Sequence, residues 1–475
     1  MQQAATLGAD RALAEPNRNG HAVIVPVLAF SGIVVSLMQT LVIPLVPSLP
    51  HLLGAAAADT AWAVTVTLLA GAVVTPVMGR LGDMYGKRRM LLISLGVLVA
   101  GSVVCALSYS LTPMIIGRAL QGLSAGVIAL GISIMRDEVP PRRLASATAL
   151  MSASLGVGGA LGLPLAAFIA DHADWHVLFW ASSAFAALAA VLLVVLVPES
   201  MVRSGGRFDV VGAAGLSVVL VCLLLAISKG GDWGWGSTTV LGLFAVAVLV
   251  GAAWSWWELR LRRPLVDLRM LARGQVLLTN CASVVFGFSM FAMALVVPAV
   301  LQLPAATGYG LGQSMLAVGL VMAPNGLVMM AMAPLSARIT RVIGPKVTLM
   351  TGAAVVAAGY ALGSVLMSTV WELVVASSVI GAGVGLAYGA MPSLIMAAVP
   401  VTHTAAANSF NTLMRSVGTA VSSAVTGAVL AQLTVSFGPV QVPTQGAFRL
   451  IMLVGAAAAA AAFVVAAFLP PRPRD

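Results

Sequence analysis

Charged residues are scarce in this sequence. Only 8% of its 475 residues are Asp, Glu, Lys or Arg, and the 15 acidic residues are outnumbered by 25 Lys and Arg. A typical soluble domain has about a quarter of its residues charged and about half of them apolar, whereas 60% of this chain is apolar. The composition therefore excludes an ordinary soluble protein and predicts an integral membrane protein that lies in a lipid bilayer.

Cysteine and the common catalytic motifs are also scarce or missing. The three cysteines, Cys105, Cys222 and Cys281, lie inside apolar stretches without metal-ligand spacing, so we expect neither a disulfide nor a metal site. The sequence has no G-x-x-x-x-G-K-[ST] loop and no H-E-x-x-H motif. Its cations are scattered between apolar stretches, which argues against nucleic-acid binding. We expect no enzyme activity, no cofactor and no nucleic-acid partner.

Long apolar stretches occupy most of the chain. A helix needs about 20 apolar residues to cross the roughly 30 Å hydrocarbon core of a bilayer. Fourteen stretches meet this requirement, and they predict an all-α integral membrane fold. The predicted helices lie near residues 22–46, 60–79, 90–108, 112–135, 144–170, 176–197, 210–228, 238–257, 276–301, 312–333, 346–369, 371–398, 404–432 and 447–469.

The distribution of cations predicts the orientation of these helices. If the polar N-terminal tail is cytoplasmic, 21 of the 25 Lys and Arg lie on the cytoplasmic side. Lys229 and Arg449 lie outside, and Arg118 and Arg415 lie within spans. Short cytoplasmic loops carry an excess of Lys and Arg. We therefore expect a multi-pass protein with both termini in the cytoplasm.

Polar breaks divide the chain into two similar halves. A polar segment after the sixth helix and a basic segment after the eighth separate two groups of six helices, and transporters are often built from such repeated halves. The prediction is two six-helix bundles with two inserted helices between them. The expected boundaries are a tail at 1–21, a first bundle at 22–197, a linker with two helices at 198–275, a second bundle at 276–469 and a tail at 470–475.

A basic, glycine-rich segment at residues 79–89 follows the second predicted helix. We call it the signature segment; it reads Gly-Arg-Leu-Gly-Asp-Met-Tyr-Gly-Lys-Arg-Arg. It resembles the loop between spans 2 and 3 of the major facilitator superfamily. Glycine permits tight backbone geometry, and a carboxylate here can pair with cations or with the N-terminus of a neighbouring helix. We predict a conformational latch made of Gly79, Asp83, Gly86, Lys87 and Arg88; the alternative is a basic loop that only sets topology.

Arg118 lies within the fourth predicted helix, where a charge needs protein or water around it. Its surroundings, Arg-Ala-Leu-Gln-Gly-Leu-Ser-Ala-Gly, are similar to a motif of the same superfamily, and the resemblance implies a role of Arg118 in proton coupling. Gln121 is on the same helix face, and Gly122 and Gly126 allow close helix packing. The alternative is that Arg118 extends to the outer membrane interface.

Arg415 lies near the middle of the thirteenth predicted helix. Asn408, Asn411 and Arg415 recur at helical spacing and form one polar stripe. The pattern A-x-x-N-x-x-x-R-x-x-G is similar to the eleventh core helix of fourteen-span drug:proton antiporters. A purely structural hydrogen-bond network is the alternative explanation.

Two motifs of those antiporters are changed in this chain. Met38 replaces the aspartate of their first helix, and the fifth-helix motif is only partly retained at Gly158, Gly162 and Pro164, which still permit close packing and a bend. No carboxylate lies at mid-depth in a predicted span. If protons are coupled, Asp59 and Glu372, near outer helix ends, are with Arg118 the first candidates.

The remaining polar side chains within spans suggest a substrate site. Together with soft apolar side chains they would line a neutral-to-basic cavity suited to bulky, weakly polar or anionic molecules. The candidate residues are Gln39, Thr40, Gln121, Asn280, Phe286, Asn325, Tyr388, Asn408, Asn411 and Arg415.

The resemblance covers residues 22–469. It implies a secondary active exporter of amphipathic compounds, of the proton-antiporting multidrug efflux kind, acting as a monomer in the cytoplasmic membrane of a bacterium. Two alternatives stay open. One is a metabolite or lipid transporter of the same fold without proton coupling, and the other is a membrane sensor that does not transport. Net flux in sealed vesicles distinguishes these three hypotheses.

Overall fold

The structure is a computed structural model that describes residues 20–46, 48–438 and 440–470. The expected tails at 1–21 and 470–475 therefore lie almost entirely outside the described residues. Within the described ranges, fourteen helices or helix pairs are long and apolar enough to cross a membrane. The predicted number of spans is confirmed, and the structure is helical almost throughout.

The helices and strands follow one another in this order: α1 (Gly20–Thr40), α2 (Leu49–Leu53), α3 (Ala57–Thr60), α4 (Trp62–Tyr85), α5 (Lys87–Ala106), α6 (Leu111–Gly122), α7 (Val127–Glu138), α8 (Pro141–His172), α9 (His176–Leu196), α10 (Val210–Trp233), α11 (Thr238–Arg260), α12 (Leu268–Leu271), α13 (Gly274–Gln302), α14 (Met315–Val342), α15 (Pro345–Val365), α16 (Val370–Ala398), α17 (Thr404–Gln432), β1 (Thr434–Phe437), β2 (Val440–Pro443) and α18 (Gln445–Ala467). Short 3-10 turns lie at Ile43–Leu45, Ala305–Thr307 and Val401–His403.

Three predicted features differ from the structure. The second helix does not end at residue 79 but continues to Tyr85, because Gly79 and Gly82 stay helical and the break comes at Gly86. The fourth span is not continuous: tight i→i+3 turns between Leu123 and Gly126 separate α6 from α7. A short antiparallel hairpin, β1–β2, precedes α18 in a segment without predicted structure.

Two clusters of buried apolar side chains form the cores of the two halves. The first lies mainly between Ile24 and Val197, and the second between Ala282 and Leu469. The halves meet where α8 packs on α14 and α16, and where α4 and α7 pack on α17. The halves therefore contact each other through a small number of helix pairs.

The inserted helices α10 and α11 lie against one side of this contact. Helix α10 packs on both α4 and α17, where Leu216, Leu220 and Leu224 share a buried cluster with Ala72 of α4 and Leu413 of α17. Helix α11 packs on α10, and most of its apolar side chains are exposed on the outside of the helix assembly, as expected for a lipid-facing helix. Helix α10 therefore covers the line along which the two halves meet.

Candidate functional site

The carboxylate of Asp83 joins the two halves at the end of α4. Its Oδ1 accepts a hydrogen bond from the backbone N–H of Ala405 (3.1 Å), and its Oδ2 accepts one from Ala406 (2.9 Å). Both donors lie in the first turn of α17, where N–H groups have no partner within the helix and the helix dipole favours a negative charge. Asp83 is 1% exposed. The carboxylate of one half thus caps a helix of the other half.

Glycine at position 79 is what allows α4 and α17 to approach so closely. A Cβ at Gly79 would lie 2.2 Å from Ser409 Oγ and 2.7 Å from the carbonyl oxygen of Ala405. Such distances are below any van der Waals contact, so a side chain here would push the two helices apart. Gly79 therefore sets the distance across which Asp83 reaches α17.

The rest of the signature segment is held within the first half. Gly86 has a φ of +115°, a conformation that favours glycine and allows the abrupt change from α4 to α5. Lys87 Nζ donates to Asp137 Oδ2 at 2.5 Å, and both side chains are buried. The carboxylate of Glu199 accepts from the backbone N–H groups of Arg88 (3.2 Å) and Arg89 (3.1 Å) in the first turn of α5. These contacts fix the position of Asp83.

From its sequence position, Arg136 is expected only to be one of the cytoplasmic cations. In the structure it makes a second contact between the halves. From the end of α7 its guanidinium donates to the carbonyl oxygens of Met396 (2.7 Å) and Val399 (3.1 Å) and to Thr404 Oγ1 (2.6 Å). These carbonyls lie at the C-terminal end of α16, where a cation is favoured. Asp83 and Arg136 therefore cap two helix ends of the second half with opposite charges. Cations near helix ends are common and Arg136 belongs to no motif, so the sequence does not predict this contact.

Arg118 is enclosed within the first half and does not extend to an interface. It is 1% exposed, and its guanidinium donates to the carbonyl oxygens of Ala63 on α4 (3.1 Å) and Met38 on α1 (3.3 Å) and to Gln121 Oε1 (2.7 Å). Gln121 in turn donates to Ser102 Oγ at 2.9 Å. In the described part of the chain these acceptors are uncharged, so Arg118 is a buried cation held by dipoles.

The structure also locates the glycines and the proline that the sequence places in helix packing. A Cβ at each glycine would lie closer than 3.1 Å to a neighbouring helix. The contacts are Gly122 with Thr67, Gly126 with Met78, Gly158 with Ser36 and Gly162 with Thr40, while Pro164 lies against Gly319 of α14. All but the last are within the first half.

A second polar cluster surrounds Arg415 on α17. Its guanidinium carbon lies 4.7 Å from the centre of the Tyr388 ring on α16, and Phe286 of α13 contacts the same ring edge-on with 6.4 Å between ring centroids. A cation over an aromatic face is attracted by the ring quadrupole. Arg415 Nη2 donates to Thr412 Oγ1 of the same helix at 3.1 Å. The Arg415 side chain is half-buried, so part of its donor capacity faces open space.

The asparagines near Arg415 are used in helix packing. Asn411 Nδ2 donates to Asn280 Oδ1 (3.0 Å) and to Ser283 Oγ (2.6 Å), which joins α17 to α13. Asn408 donates to the carbonyl oxygen of Thr404 in its own helix, at 3.0 Å. Asn325 on α14 donates to the carbonyl oxygen of Ser377 on α16 at 2.7 Å. Asn411 and Asn325 thus join neighbouring helices of the second half, whereas Asn408 bonds only within α17.

Gln39 and Thr40 lie at the end of α1, away from the hydrogen bonds of Arg415. Gln39 is exposed, and Thr40 donates to the carbonyl oxygen of Leu37 at 3.0 Å. A nearby apolar cavity of about 550 Å³ lies between α1, α8, α9 and α14. Its walls include Met38, Pro164, Phe168, Phe185 and Leu320. Phe168, Phe185 and Leu320 are exposed, so this space is a groove that opens to the outside of the helix assembly.

The two proposed proton carriers are not beside Arg118 in this structure. Asp59 is exposed at the end of α3. Glu372 forms a capping box at the start of α16: its carboxylate accepts from the backbone N–H groups of Ser368 (2.7 Å) and Thr369 (3.2 Å). The guanidinium of Arg118 donates to Ala63, Met38 and Gln121, and to neither carboxylate among the described residues.

Comparison with known proteins places this architecture in one family. The sequence model of the Major Facilitator Superfamily matches residues 28–423 and 282–475. An uncharacterized MFS-type transporter of Mycobacterium tuberculosis is 29% identical over 416 residues, 86% of this chain but 59% of that protein. The chain thus spans about three fifths of that relative's length. Multidrug resistance protein 3 of Bacillus subtilis is 26% identical over 378 residues, 78% of this chain and 72% of that protein.

Among solved structures, the human organic anion transporter MFSD10 has a TM-score of 0.66 at 15% sequence identity, and the match covers 95% of this chain and all of that one. This likeness concerns the fold. Because the family match covers most of the sequence, and the structure has the corresponding helices, the chain belongs to the Major Facilitator Superfamily of membrane transporters.

Proposed function

We propose that this protein is a secondary active exporter of bulky amphipathic small molecules that works by alternating access. The proposal rests on one observation: α17 takes part both in the contact between the halves and in the polar cluster around Arg415. This helix offers the first-turn N–H groups that Asp83 of the other half caps, and about ten residues further it carries Arg415. Ten helical residues span about 15 Å, so movement at one end of a rigid helix reaches the other.

The two capping contacts define the closed end of the transporter. While Asp83 and Arg136 cap helices of the second half, the halves are held together at this end. Opening requires these hydrogen bonds to be exchanged for hydrogen bonds with water, and hydrogen bonds to charged groups contribute about 1.5–3 kcal/mol each. The excess of cations near this end favours its assignment to the cytoplasmic side. In this conformation the central site is then closed to the cytoplasm.

Arg415 determines which substrates we expect. A half-buried guanidinium in the middle of a span attracts anions, and the neighbouring Tyr388 and Phe286 rings offer apolar contact. We therefore propose substrates with a large apolar part and a neutral or negative polar group. Export would lower the concentration of a toxic compound inside the cell, which agrees with the name of the related multidrug resistance protein of B. subtilis, and we propose a bacterial cytoplasmic membrane as the location.

Sealed vesicles that contain the purified protein test this proposal. We expect net flux of an amphipathic anionic dye, and a smaller flux of a cationic dye of similar size. Arg415→Ala should lower anion flux at least fivefold, while Arg415→Lys should retain part of it because the positive charge stays. Arg449→Ala removes an exposed cation and serves as the matched control. Absence of net flux for every dye would favour a non-transporting sensor.

Proton antiport is the proposed energy source, with Arg118, Asp59 and Glu372 as its candidate residues. A pH gradient imposed on the same vesicles should drive dye flux in the wild type. Asp59→Asn or Glu372→Gln should uncouple the flux from the gradient if that carboxylate carries the proton. Gradient-driven flux that is unchanged in both variants would exclude these two carriers.

A facilitator without proton coupling is the second candidate, and one observation favours it. The described carboxylates lie at or near helix ends, and Glu372 is already used in a capping box. Flux that follows the dye gradient but does not respond to pH in the wild type would support this candidate over antiport.

A further inference from the structure

Two carboxylates, Asp209 and Glu258, face each other where the inserted helices α10 and α11 meet. Asp209 is the N-cap of α10, and Glu258 lies in the last turn of α11. A Cβ placed on Gly212 would lie 2.1 Å from Asp209 Oδ2 and 2.4 Å from Glu258 Oε1. Because both oxygens lie this close to the same point, they are at most about 4.5 Å apart, which is the sum of the two distances. Hydrogen-bonding distances fall within this limit.

The two facing oxygens are buried, and in the described part of the chain neither has a hydrogen-bond partner. The other oxygens are occupied: Asp209 Oδ1 accepts from the N–H of Gly212 (2.9 Å) and from Trp257 Nε1 (3.4 Å), and Glu258 Oε2 accepts from the N–H of Val266 (3.4 Å). Glu258 is 2% exposed. An unpartnered oxygen of a buried carboxylate is costly, and here two of them point at the same space.

Among the described residues, no cation forms an ion pair with Asp209 or Glu258. Arg80 of α4 interacts with Glu258 at longer range, but it also interacts with Asp83, Asp267 and Arg263. The hydrogen bond of the Arg80 guanidinium goes to Ser204 Oγ at 3.4 Å and not to either carboxylate. Arg260 lies over the ring of Trp256, and His403, near Arg80 and Asp267, adds no negative charge. The positive charge of Arg80 is thus shared among several carboxylates.

We propose that Asp209 and Glu258 form a proton-binding site that holds one proton between the two carboxyl groups. The proton resides on Glu258 Oε1, and the resulting O–H donates to Asp209 Oδ2. Asp209 is the charged partner, because it lies at a helix N-terminus, where negative charge is favoured, and because Glu258 is the more deeply buried of the two. A single proton gives each of the two unpartnered oxygens a hydrogen bond and removes the repulsion between like charges.

Gly212 leaves room for the two carboxylate oxygens of this site. Because it has no side chain, the space between the two oxygens stays free, whereas an alanine would occupy it. The site also lies beside the segment whose Leu265, Val266 and Met270 pack with α10 against α17. Loss of the shared proton leaves two facing charges there, so it should loosen the inserted helices from the contact between the halves. This proposal concerns proton binding alone and does not depend on transport.

Infrared spectroscopy of the purified full-length protein in lipid tests for the shared proton. At neutral pH we expect an absorption band of a protonated carboxylic acid that is lost in Glu258→Gln and in Asp209→Asn. The band should remain in Asp232→Asn, which changes an exposed carboxylate at the far end of α10, and in Asp83→Asn, which changes another buried carboxylate. Absence of the band in the wild type, or its persistence in both pair variants, would overturn the proposal.

The pH dependence of thermal unfolding is an independent measurement that does not need the infrared band. The folded protein holds the shared proton more tightly than the unfolded chain does, so the stabilisation is present at low pH and is lost as the pH rises. The wild type should therefore show a falling melting temperature with rising pH, and Glu258→Gln should show a smaller slope. Gly212→Ala should lower the melting temperature most at low pH, where the proton is bound. Equal slopes in wild type and Glu258→Gln would contradict a shared proton.

Discussion

The connection between α4 and α5 and the connection between α14 and α15 share one backbone turn but differ in chemistry. Gly86 and Gly344 both have a φ of +115°, and each is preceded by a proline ten residues earlier, Pro76 and Pro334. In this register Arg80 corresponds to Arg338, but Asp83 corresponds to Arg341. The two halves have thus kept the turn, while only the first has the carboxylate that caps a helix of the other half.

The helix contacts next to these turns differ accordingly. Gly79 lets α4 approach α17 closely, and the neighbouring Asp83 makes two hydrogen bonds there. The corresponding residue of the second half is Ala337, which packs with Ala333 against Ala149 and Ala153 of α8. One contact is charged and can exchange its partners for water, whereas the other is apolar packing. We infer that the charged contact is the one that opens and closes.

The lysines after the two turns also have different surroundings. Lys87 is fully buried and ion-paired with Asp137. Lys346 donates to the carbonyl oxygens of Ala467 (2.7 Å) and Leu469 (2.6 Å) at the end of α18. A charge that is lost from the first site leaves a buried counter-charge, while a charge lost from the second leaves only carbonyls that water can reach. Substitutions on both sides therefore test how unequal the halves are.

The largest effect is expected for Lys87→Met. Asp137 would become a buried, unpaired carboxylate, and breaking such a pair costs about 3–5 kcal/mol. The melting temperature of the purified protein should drop sharply. Adding Asp137→Asn should restore much of the loss, because the double variant has no unpaired charge. A single variant as stable as the wild type would mean that the pair does not stabilise the first half.

Asp83→Asn should have the next largest effect, and mainly on transport. The side chain keeps its size but loses its charge and one acceptor oxygen, and hydrogen bonds to a charged group contribute about 1.5–3 kcal/mol. We expect normal insertion and a melting temperature lowered less than in Lys87→Met, with dye flux in sealed vesicles reduced about tenfold. Asp232→Asn removes the charge of an exposed carboxylate on α10 and is the matched control. Full transport by a folded Asp83→Asn protein would mean that the signature segment only sets the membrane topology and does not act as a latch.

Gly79→Ala tests the close approach that the charged contact requires. The added Cβ overlaps with Ser409 and with the carbonyl oxygen of Ala405, and overpacking costs about 1–3 kcal/mol. Flux should fall several-fold. Gly96→Ala, at a helical glycine with open space around it, is the control that should leave flux unchanged. In the second half, Ala337→Gly should change flux less than twofold. Equal effects of Gly79→Ala and Gly96→Ala would contradict the role assigned to the helix distance.

The smallest effect is expected for Lys346→Gln. The glutamine amide can still donate to one of the two carbonyls, and a cation near an exposed helix C-terminus contributes only about 0.3–1 kcal/mol. Both flux and melting temperature should stay close to wild-type values. A drop in melting temperature as large as that of Lys87→Met would show that the two lysines are equally important. It would contradict the proposed difference between the halves.

Several features of the site could be predicted from the sequence because they depend on local chemistry. The number of helices follows from the lengths of the apolar stretches alone. Asp83 is the one carboxylate in a basic, glycine-rich segment, and this setting predicts a contact with cations or with a helix N-terminus. The partners of that contact could not be predicted, since Ala405 and Ala406 lie more than 300 residues away and offer only backbone groups. The carbonyl partners of Arg136 are likewise backbone groups about 260 residues away.

The sequence by itself determined that this chain crosses a bilayer many times, where its spans lie and which residues carry charge within them. Composition and local periodicity suffice for this, because burial in lipid depends on the residues of one segment at a time. Tertiary structure alone decided which charges have partners. It enclosed Arg118 among carbonyls, left Arg415 over Tyr388 and brought Asp209 next to Glu258. Such pairings depend on distances between segments far apart in the chain, and the packing of whole helices sets those distances.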